Sequence, residues 1–320
     1  MRLATAGALN GPDSALGTNI RNGVQLAIDK HNAANPGCQI KLREFDTEGL
    51  PQNASNIAPQ IIGDPAIVGL IGPAFSGETK STGQIFSEAG LVSTTGSATN
   101  VTLTQQGWKT FFRGLANDGV QGPAVANYLK KTLGYQKICV VDDSTDYGSG
   151  LANAVRGTLG NDCNVSVKKG DKDFSAAVAQ LKNAAPDAVY FGGYYAEAQQ
   201  LRNGGVAATF VSSDGTKDVE FVKQAGDSAK DALLSCPCGP ASNSFAKDYT
   251  AKFNQEPGTY STEGYDLATI LVKGIDAGKS TRAGLLDWVR NYQGQGVARE
   301  YKWNENGELT STLIWVYKVT

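Results

Sequence analysis

Five short turns hold most of the residues in this sequence that could grip a charged small molecule. Gly72-Pro73-Ala74-Phe75-Ser76-Gly77-Glu78 and Thr95-Gly96-Ser97-Ala98-Thr99-Asn100 are rich in hydroxyls, and the second carries no charge. Hydroxyls and backbone N–H groups at a helix start make a cradle for an anion such as a carboxylate. Asp142-Asp143-Ser144-Thr145-Asp146-Tyr147-Gly148, Gly192-Gly193-Tyr194-Tyr195-Ala196-Glu197 and Ser212-Ser213-Asp214-Gly215 supply tyrosines and carboxylates, the partners an ammonium needs. Together the two sets would suit a small zwitterion. Singly, each is also what an ordinary turn contains, and Ser76 reads as the N-cap of the helix that holds Ile85 and Phe86. Gly72 to Lys80 has the outline of a phosphate loop, but Glu78 stands where the lysine should follow the second glycine, which excludes ATP.

Catalytic chemistry has little to work with. His31 is the only histidine, and the helical stripe Ile20, Val24, Ala27, Ile28 leaves it on the polar side, where solvent is expected. No histidine triad and no histidine cluster for zinc can be built around it. Asp214 opposite Tyr147 has no evident nucleophile or metal beside it. Of five cysteines, Cys139 opens the apolar run Cys139-Val140-Val141 and Cys163 precedes Val165 and Val167 one helix later. Both are placed on neighbouring parallel strands, within reach of a disulfide. Cys236-Pro237-Cys238 reads as a local disulfide or two free thiols, since a four-ligand metal site lacks partners. Cys38 is then the odd one.

The elements that must position these turns repeat. Residues 3 to 8 read as a strand, Thr18 to Ala33 as an amphipathic helix, Cys38, Ile40 and Leu42 as an alternating strand, Ala54 to Ile62 as a helix and Ala66 to Gly72 as a buried strand. The strand Leu91 to Thr94 follows. From Gln121 the pattern begins again: a helix on Val125, Tyr128 and Leu129, strand Ile138 to Asp142, helix Leu151 to Leu159, strand Val165 to Val167, helix Phe174 to Leu181, strand Ala188 to Gly192. This is the α/β pattern of two doubly wound parallel-sheet lobes. Later helices at Phe245, Tyr249, Phe253 and at Leu267, Ile270, Leu271, and an ending at Thr312 to Val319, require the chain to cross between lobes more than once. In such sheets ligands sit beyond the C-terminal strand ends, where all five turns fall.

With 320 residues, 41% hydrophobic, and 29 basic against 31 acidic side chains for a net charge of −2, the chain is globular and has no field for gathering phosphates. Nucleic acid is not expected as a partner. The longest apolar runs, such as Ala66 to Ile71, fall far short of the roughly 18 to 20 residues that cross a bilayer. Met1 leads directly into Arg2-Leu3-Ala4-Thr5-Ala6-Gly7, so the expectation is that a secretory leader was trimmed ahead of it.

Gly11-Pro12, the Gly72 to Gly77 turn, Gly96 to Thr99, Phe112-Arg113, Gln121-Gly122-Pro123, Asp146-Tyr147-Gly148, Asp173-Phe174-Ser175, Tyr190-Phe191-Gly192-Gly193-Tyr194, Asp214-Gly215 and Gly264-Tyr265-Asp266 together resemble the leucine/isoleucine/valine-binding proteins, over essentially the whole chain and in order. These are type I periplasmic or lipid-anchored receptors of branched-chain amino acid ABC importers. The resemblance implies that Ser76 and Thr99 hold the ligand carboxylate through hydroxyl and backbone N–H, with Ala98 in the same turn. The Ser97 carbonyl would join Asp214 on the ammonium, Tyr147 and Tyr194 would close from the second lobe, and Leu16, Phe75 and Tyr260 would line the side chain. Asp214 stands where the best-known members carry glutamate, a shorter reach that could admit a bridging water. Leu16 stands where an aromatic can occur. The helix from Ala196 to Arg202 reads about one turn short, which bears on where Glu197 falls.

It also implies one lobe of residues 1–118 plus 243–305 and a second of 119–242 plus 306–320, joined by a three-crossing hinge that closes on the solute. No cofactor and no metal are implied. Partners would be an amino acid and permease subunits, outside the cytoplasm. The alternatives are a sensory or regulatory domain of the same fold, a receptor for another amino acid or an amide, and an enzyme, which the fold alone does not separate. Glu263, at a helix start near Tyr260, reads as solvent-facing. Turned inward, it would select basic side chains.

Overall fold

The computed structural model describes residues 1–160 and 163–320. The chain forms two compact units, Met1–Ala116 with Pro240–Thr312 and Asn117–Gly239 with Leu313–Thr320. Unit 1 begins with β1 (Arg2–Gly7), α1 (Ser14–Ala34), β2 (Lys41–Asp46), α2 (Pro51–Gly63), β3 (Ile67–Ile71), α3 (Ser76–Glu88), β4 (Val92–Thr95) and β5 (Phe111–Arg113). Among the described residues its strands form one parallel sheet in the order β2-β1-β3-β4-β5. β3 is buried along its whole length, as a continuous apolar run in a covered parallel sheet should be. Ala4, Ala6, Ile61, Leu70, Phe86 and Leu91 form one core under α2 and α3.

Unit 2 contains α4 (Asp118–Asn127), β6 (Ile138–Asp142), α5 (Asp146–Leu159), β7 (Asn164–Ser166), α6 (Ser175–Ala184), β8 (Ala188–Gly192), α7 (Tyr195–Asn203), β9 (Thr209–Ser212), α8 (Val219–Ala225) and β10 (Leu233–Cys236). The chain then returns to unit 1 for α9 (Asn243–Phe253), α10 (Ser261–Asp276), α11 (Arg282–Arg290) and a hairpin of β11 (Gln293–Gln295) and β12 (Glu300–Lys302). It ends on β13 (Trp315–Lys318), which lies antiparallel to β10. The unit 2 sheet runs β7-β6-β8-β9-β10-β13, so its first five strands repeat the order of unit 1. In each sheet the first and third strands are neighbours, the switch point where a doubly wound sheet opens a crevice at its carboxyl edge.

Several expectations need correction. His31 is buried rather than solvated, with Nε2 2.8 Å from the Cys38 carbonyl. The reason is α10, which packs against α1 so closely that a side-chain carbon on Gly264 would stand 2.5 Å from the Ile20 carbonyl and one on Gly23 would strike that of Ser261. α1 is therefore covered on more than the one stripe its apolar residues mark. The second strand starts at Lys41, not Cys38, because Asn32 takes both the N–H and the carbonyl of Ile40. The cysteines need no correction: Cys139 is bonded to Cys163 as expected, Cys236 to Cys238 in the local disulfide alternative, and Cys38 is the free, exposed thiol among the described residues.

Candidate functional site

In unit 1 the candidate residues gather where β3 and β4 end. Phe75, not Ser76, is the N-cap of α3: its backbone is extended and its N–H donates to the Glu78 carboxylate at 2.7 Å. A carboxylate three residues into a helix satisfies that N–H without a hydroxyl, which frees Ser76 for another use. Ser76 Oγ accepts from the Asn100 N–H at 3.2 Å, tying the helix start to the second turn. Ser97 Oγ donates to the Ala74 carbonyl at 2.5 Å and the Ala98 N–H donates to Thr95 Oγ1 at 3.1 Å. The fully buried Arg113 donates to the Ala98 and Asn100 carbonyls at 2.6 and 2.9 Å, while Glu308 accepts from its other two nitrogens at 2.9 and 3.1 Å. That fork engages the Ala98 and Asn100 carbonyls and not the Ser97 carbonyl, and it fixes the shape of the turn. Thr99 is fully buried and its Oγ1 has no hydrogen-bond partner among the described residues. A buried hydroxyl in that state costs about 1–3 kcal/mol unless a ligand answers it. Leu16, Phe75 and Tyr260, the expected side-chain contacts, are buried in the same unit.

In unit 2 Asp214 is fully buried at the carboxyl edge of β9. Its Oδ1 accepts from Gln121 Nε2 and lies 2.8 Å from the Tyr147 hydroxyl. That hydroxyl also accepts from the Gly215 N–H at 2.9 Å and stands 2.9 Å from Ser213 Oγ. It has one proton, and the carboxylate is the stronger acceptor, so the proton points at Asp214. The Tyr147 and Tyr194 rings are 5.1 Å apart, and the Lys169 ammonium sits 3.8 Å from the centre of the Tyr194 ring. Burial pushes the neighbouring Tyr190 phenol well above its usual range, and the charges of Asp214 and Asp118 add to that.

The ten residues singled out from the sequence thus fall into two groups, Leu16, Phe75, Ser76, Ser97, Ala98, Thr99 and Tyr260 in unit 1, and Tyr147, Tyr194 and Asp214 in unit 2. Gln121 and Arg113 stand in the motifs of the family resemblance but had no role assigned there, and Lys169 was missed. Gln121 could have been found, because it continues the stripe of Val125 and Leu129 back by four residues and is a polar group on a buried helix face. Arg113 and Lys169 lie where no period exists to point at them.

Glu263 is not solvent-facing. It is fully buried and paired with the buried Arg299, which lies in the irregular segment before β12. A side-chain carbon on Gly96 would meet that of Glu263 at 2.9 Å, so this ion pair backs the Thr95–Asn100 turn. Beside it, Asp266 accepts from the N–H groups of Val297 and Ala298, each at 2.7 Å. Burial nevertheless pushes its carboxyl up to about 6, with the charge of Glu263 adding. The one-turn shortfall expected around Ala196 resolves as α7, whose Glu197 is buried and accepts from the Gly170 N–H at 2.9 Å.

The family described as periplasmic binding protein matches across residues 1–320. The Leu/Ile/Val-binding protein homolog 3 of Brucella melitensis is 30% identical over 97% of this chain and 89% of its own length. The leucine-, isoleucine-, valine-, threonine-, and alanine-binding protein of Pseudomonas aeruginosa is 28% identical over 99% of this chain and 89% of its own. Among solved structures, the branched-chain amino acid transporter substrate binding protein LivJ from Streptococcus pneumoniae, in complex with isoleucine, superposes with a TM-score of 0.92 at 25% identity, covering 100% of this chain and 96% of that one.

Proposed function

The chain belongs to the periplasmic binding protein family, and from that premise we propose that it is a receptor for an aliphatic α-amino acid, which it delivers to the permease of an ABC importer. The reading takes its ligand class from the names of its relatives, several of which are leucine-, isoleucine- and valine-binding proteins. The observation that carries it is the buried carboxylate of Asp214, fixed on one oxygen by Tyr147 and Gln121. In this reading Asp214, aided by the Ser97 carbonyl, takes the ammonium. Ser76 and Thr99 take the carboxylate through hydroxyl and N–H, with Ala98 in the same turn and Tyr147 and Tyr194 against the main chain. Leu16, Phe75 and Tyr260 take the side chain, where each buried methylene is worth about 0.8 kcal/mol. Two disulfides support an oxidising compartment outside the cytoplasm. No helix among the described residues is long and apolar enough to cross a membrane.

A thermal-shift screen of the twenty amino acids tests the reading. At about 100 times its dissociation constant a ligand adds about 2.7 kcal/mol of stability. Leu, Ile and Val should give that shift and Ala a smaller one. A shift given only by acidic or basic amino acids would replace the aliphatic assignment.

A further inference from the structure

The sole histidine of the chain and its free cysteine lie together at the far end of α1 from Leu16, and a carboxylate meets them there. His31 is in the last turn of α1, Cys38 is in the loop that follows, and Asp276 is the last residue of α10, all within unit 1. Ligand atoms of the three lie within 4.8 Å of one another. The imidazole is held in one orientation. Nε2 faces the Cys38 carbonyl at 2.8 Å, a group that can only accept, so Nε2 is the donor; Nδ1 is the nitrogen left for a ligand, with the nearby Asn35 amide held by the His31 carbonyl at 3.0 Å. A ring nitrogen fixed by a hydrogen bond from its opposite N–H to a backbone carbonyl is the arrangement metal-binding histidines use. Nδ1 also faces Asp276 Oδ2 at 3.4 Å, a separation that a shared cation between the two atoms would bridge. The imidazole side chain is 3% exposed and Asp276 43%, so the nitrogen is preset while the carboxylate and the exposed thiol can swing onto an entering ion.

We propose that His31 Nδ1, Cys38 Sγ and Asp276 form a three-ligand site for a borderline divalent cation, Zn2+ above all, with water as the fourth ligand. Mixed sulfur, nitrogen and oxygen donors at tetrahedral count select Zn2+ over Ca2+ or Mg2+, which want oxygen alone. Binding exchanges the thiol proton for the metal: the S–H bond breaks, the S–Zn bond forms, and one proton is released to solvent. The ion would pin the C-terminal ends of α1 and α10 to each other. It would not touch the amino acid, whose expected contacts Leu16 and Tyr260 belong to the opposite ends of these helices.

The test is Zn2+ titration of the full chain, stripped with chelator and kept free of oxygen so that Cys38 stays a thiol while both disulfides remain closed, by calorimetry and by thermal shift. Cys38→Ser and Asp276→Asn serve as variants because both side chains are exposed, and circular dichroism confirms their fold. One Zn2+ per chain is expected, with affinity falling at least about tenfold in each variant, and Zn2+ should raise the melting temperature of the wild type more than that of either variant. Co2+ should show a thiolate charge-transfer band that Cys38→Ser abolishes. Equal Zn2+ affinity in the wild type and both variants would overturn the site. So would the absence of saturable binding, with His31 then paired to Asp276 by a proton alone, or a thiol that only links two chains through Cys38.

Discussion

The Tyr147 hydroxyl stands 2.8 Å from Oδ1 of Asp214 and is itself held by the Gly215 N–H, so the phenol and the carboxylate behave as one fixed unit. Rigidity of this kind matters for binding because a charge aimed in advance loses less entropy when its partner arrives. Tyr147→Phe should therefore weaken an aliphatic amino acid by about 1.5–3 kcal/mol, the worth of a hydrogen bond to a charged group. Calorimetry on the variant, with circular dichroism to confirm the fold, measures it. An unchanged dissociation constant would detach Tyr147 from the site.

The ion pair of Glu263 and Arg299 has a different consequence. Both partners are buried, so Arg299→Met would leave a buried charge unpaired and should cost about 3–5 kcal/mol in urea unfolding. The pairing also engages the carboxylate that could have selected a basic ligand. In a competition titration Arg and Lys at equal concentration should fail to displace bound Leu, and displacement would show that Glu263 turns to the ligand.

The buried parallel strands were legible in the sequence because each is a contiguous apolar run, as at Ile138–Asp142 and Ala188–Gly192. The turns after them were legible for the same reason, being where the runs stop. β5 and β10 were not: Phe111–Arg113 is three residues long and ends on an arginine that is buried only because Glu308 and two carbonyls meet it. His31 was misread from its helical face and Glu263 from its place at a helix start. A helical wheel ranks faces by their apolar residues, whereas α1 and α10 bury polar ones against each other and against Arg299.

Asp266 makes stability depend on pH in unit 1. Its folded carboxyl is raised to about 6 from 3.8, so the stability it contributes is full below the unfolded value and is lost as pH rises through the folded one. Between pH 5 and 7.5 the unfolding free energy should fall by about 1–1.5 kcal/mol from this group. Asp266→Asn should remove that fall in urea titrations at the two pH values. A wild type with flat stability across this range would contradict it.

The disulfide from Cys139 to Cys163 closes a sequence separation of 24. Replacing both cysteines by alanine should lower stability by about 3 kcal/mol through the freed unfolded chain. Opening Cys236–Cys238, separated by only 2 residues, should cost far less. Denaturant unfolding of the two double variants compares them, and equal losses would refute the loop argument.

The claim that Asp214 receives the ligand ammonium is tested most directly by calorimetry of leucine, and of 4-methylpentanoate, which lacks the amino group, against the wild type and Asp214→Ala. Leucine should bind the variant about 2–5 kcal/mol more weakly, as for the loss of one partner of a buried charge pair, while the amine-free analogue should not distinguish the two proteins in that direction. Less than about a threefold change for leucine, below 1 kcal/mol, would show that Asp214 does not receive the ammonium.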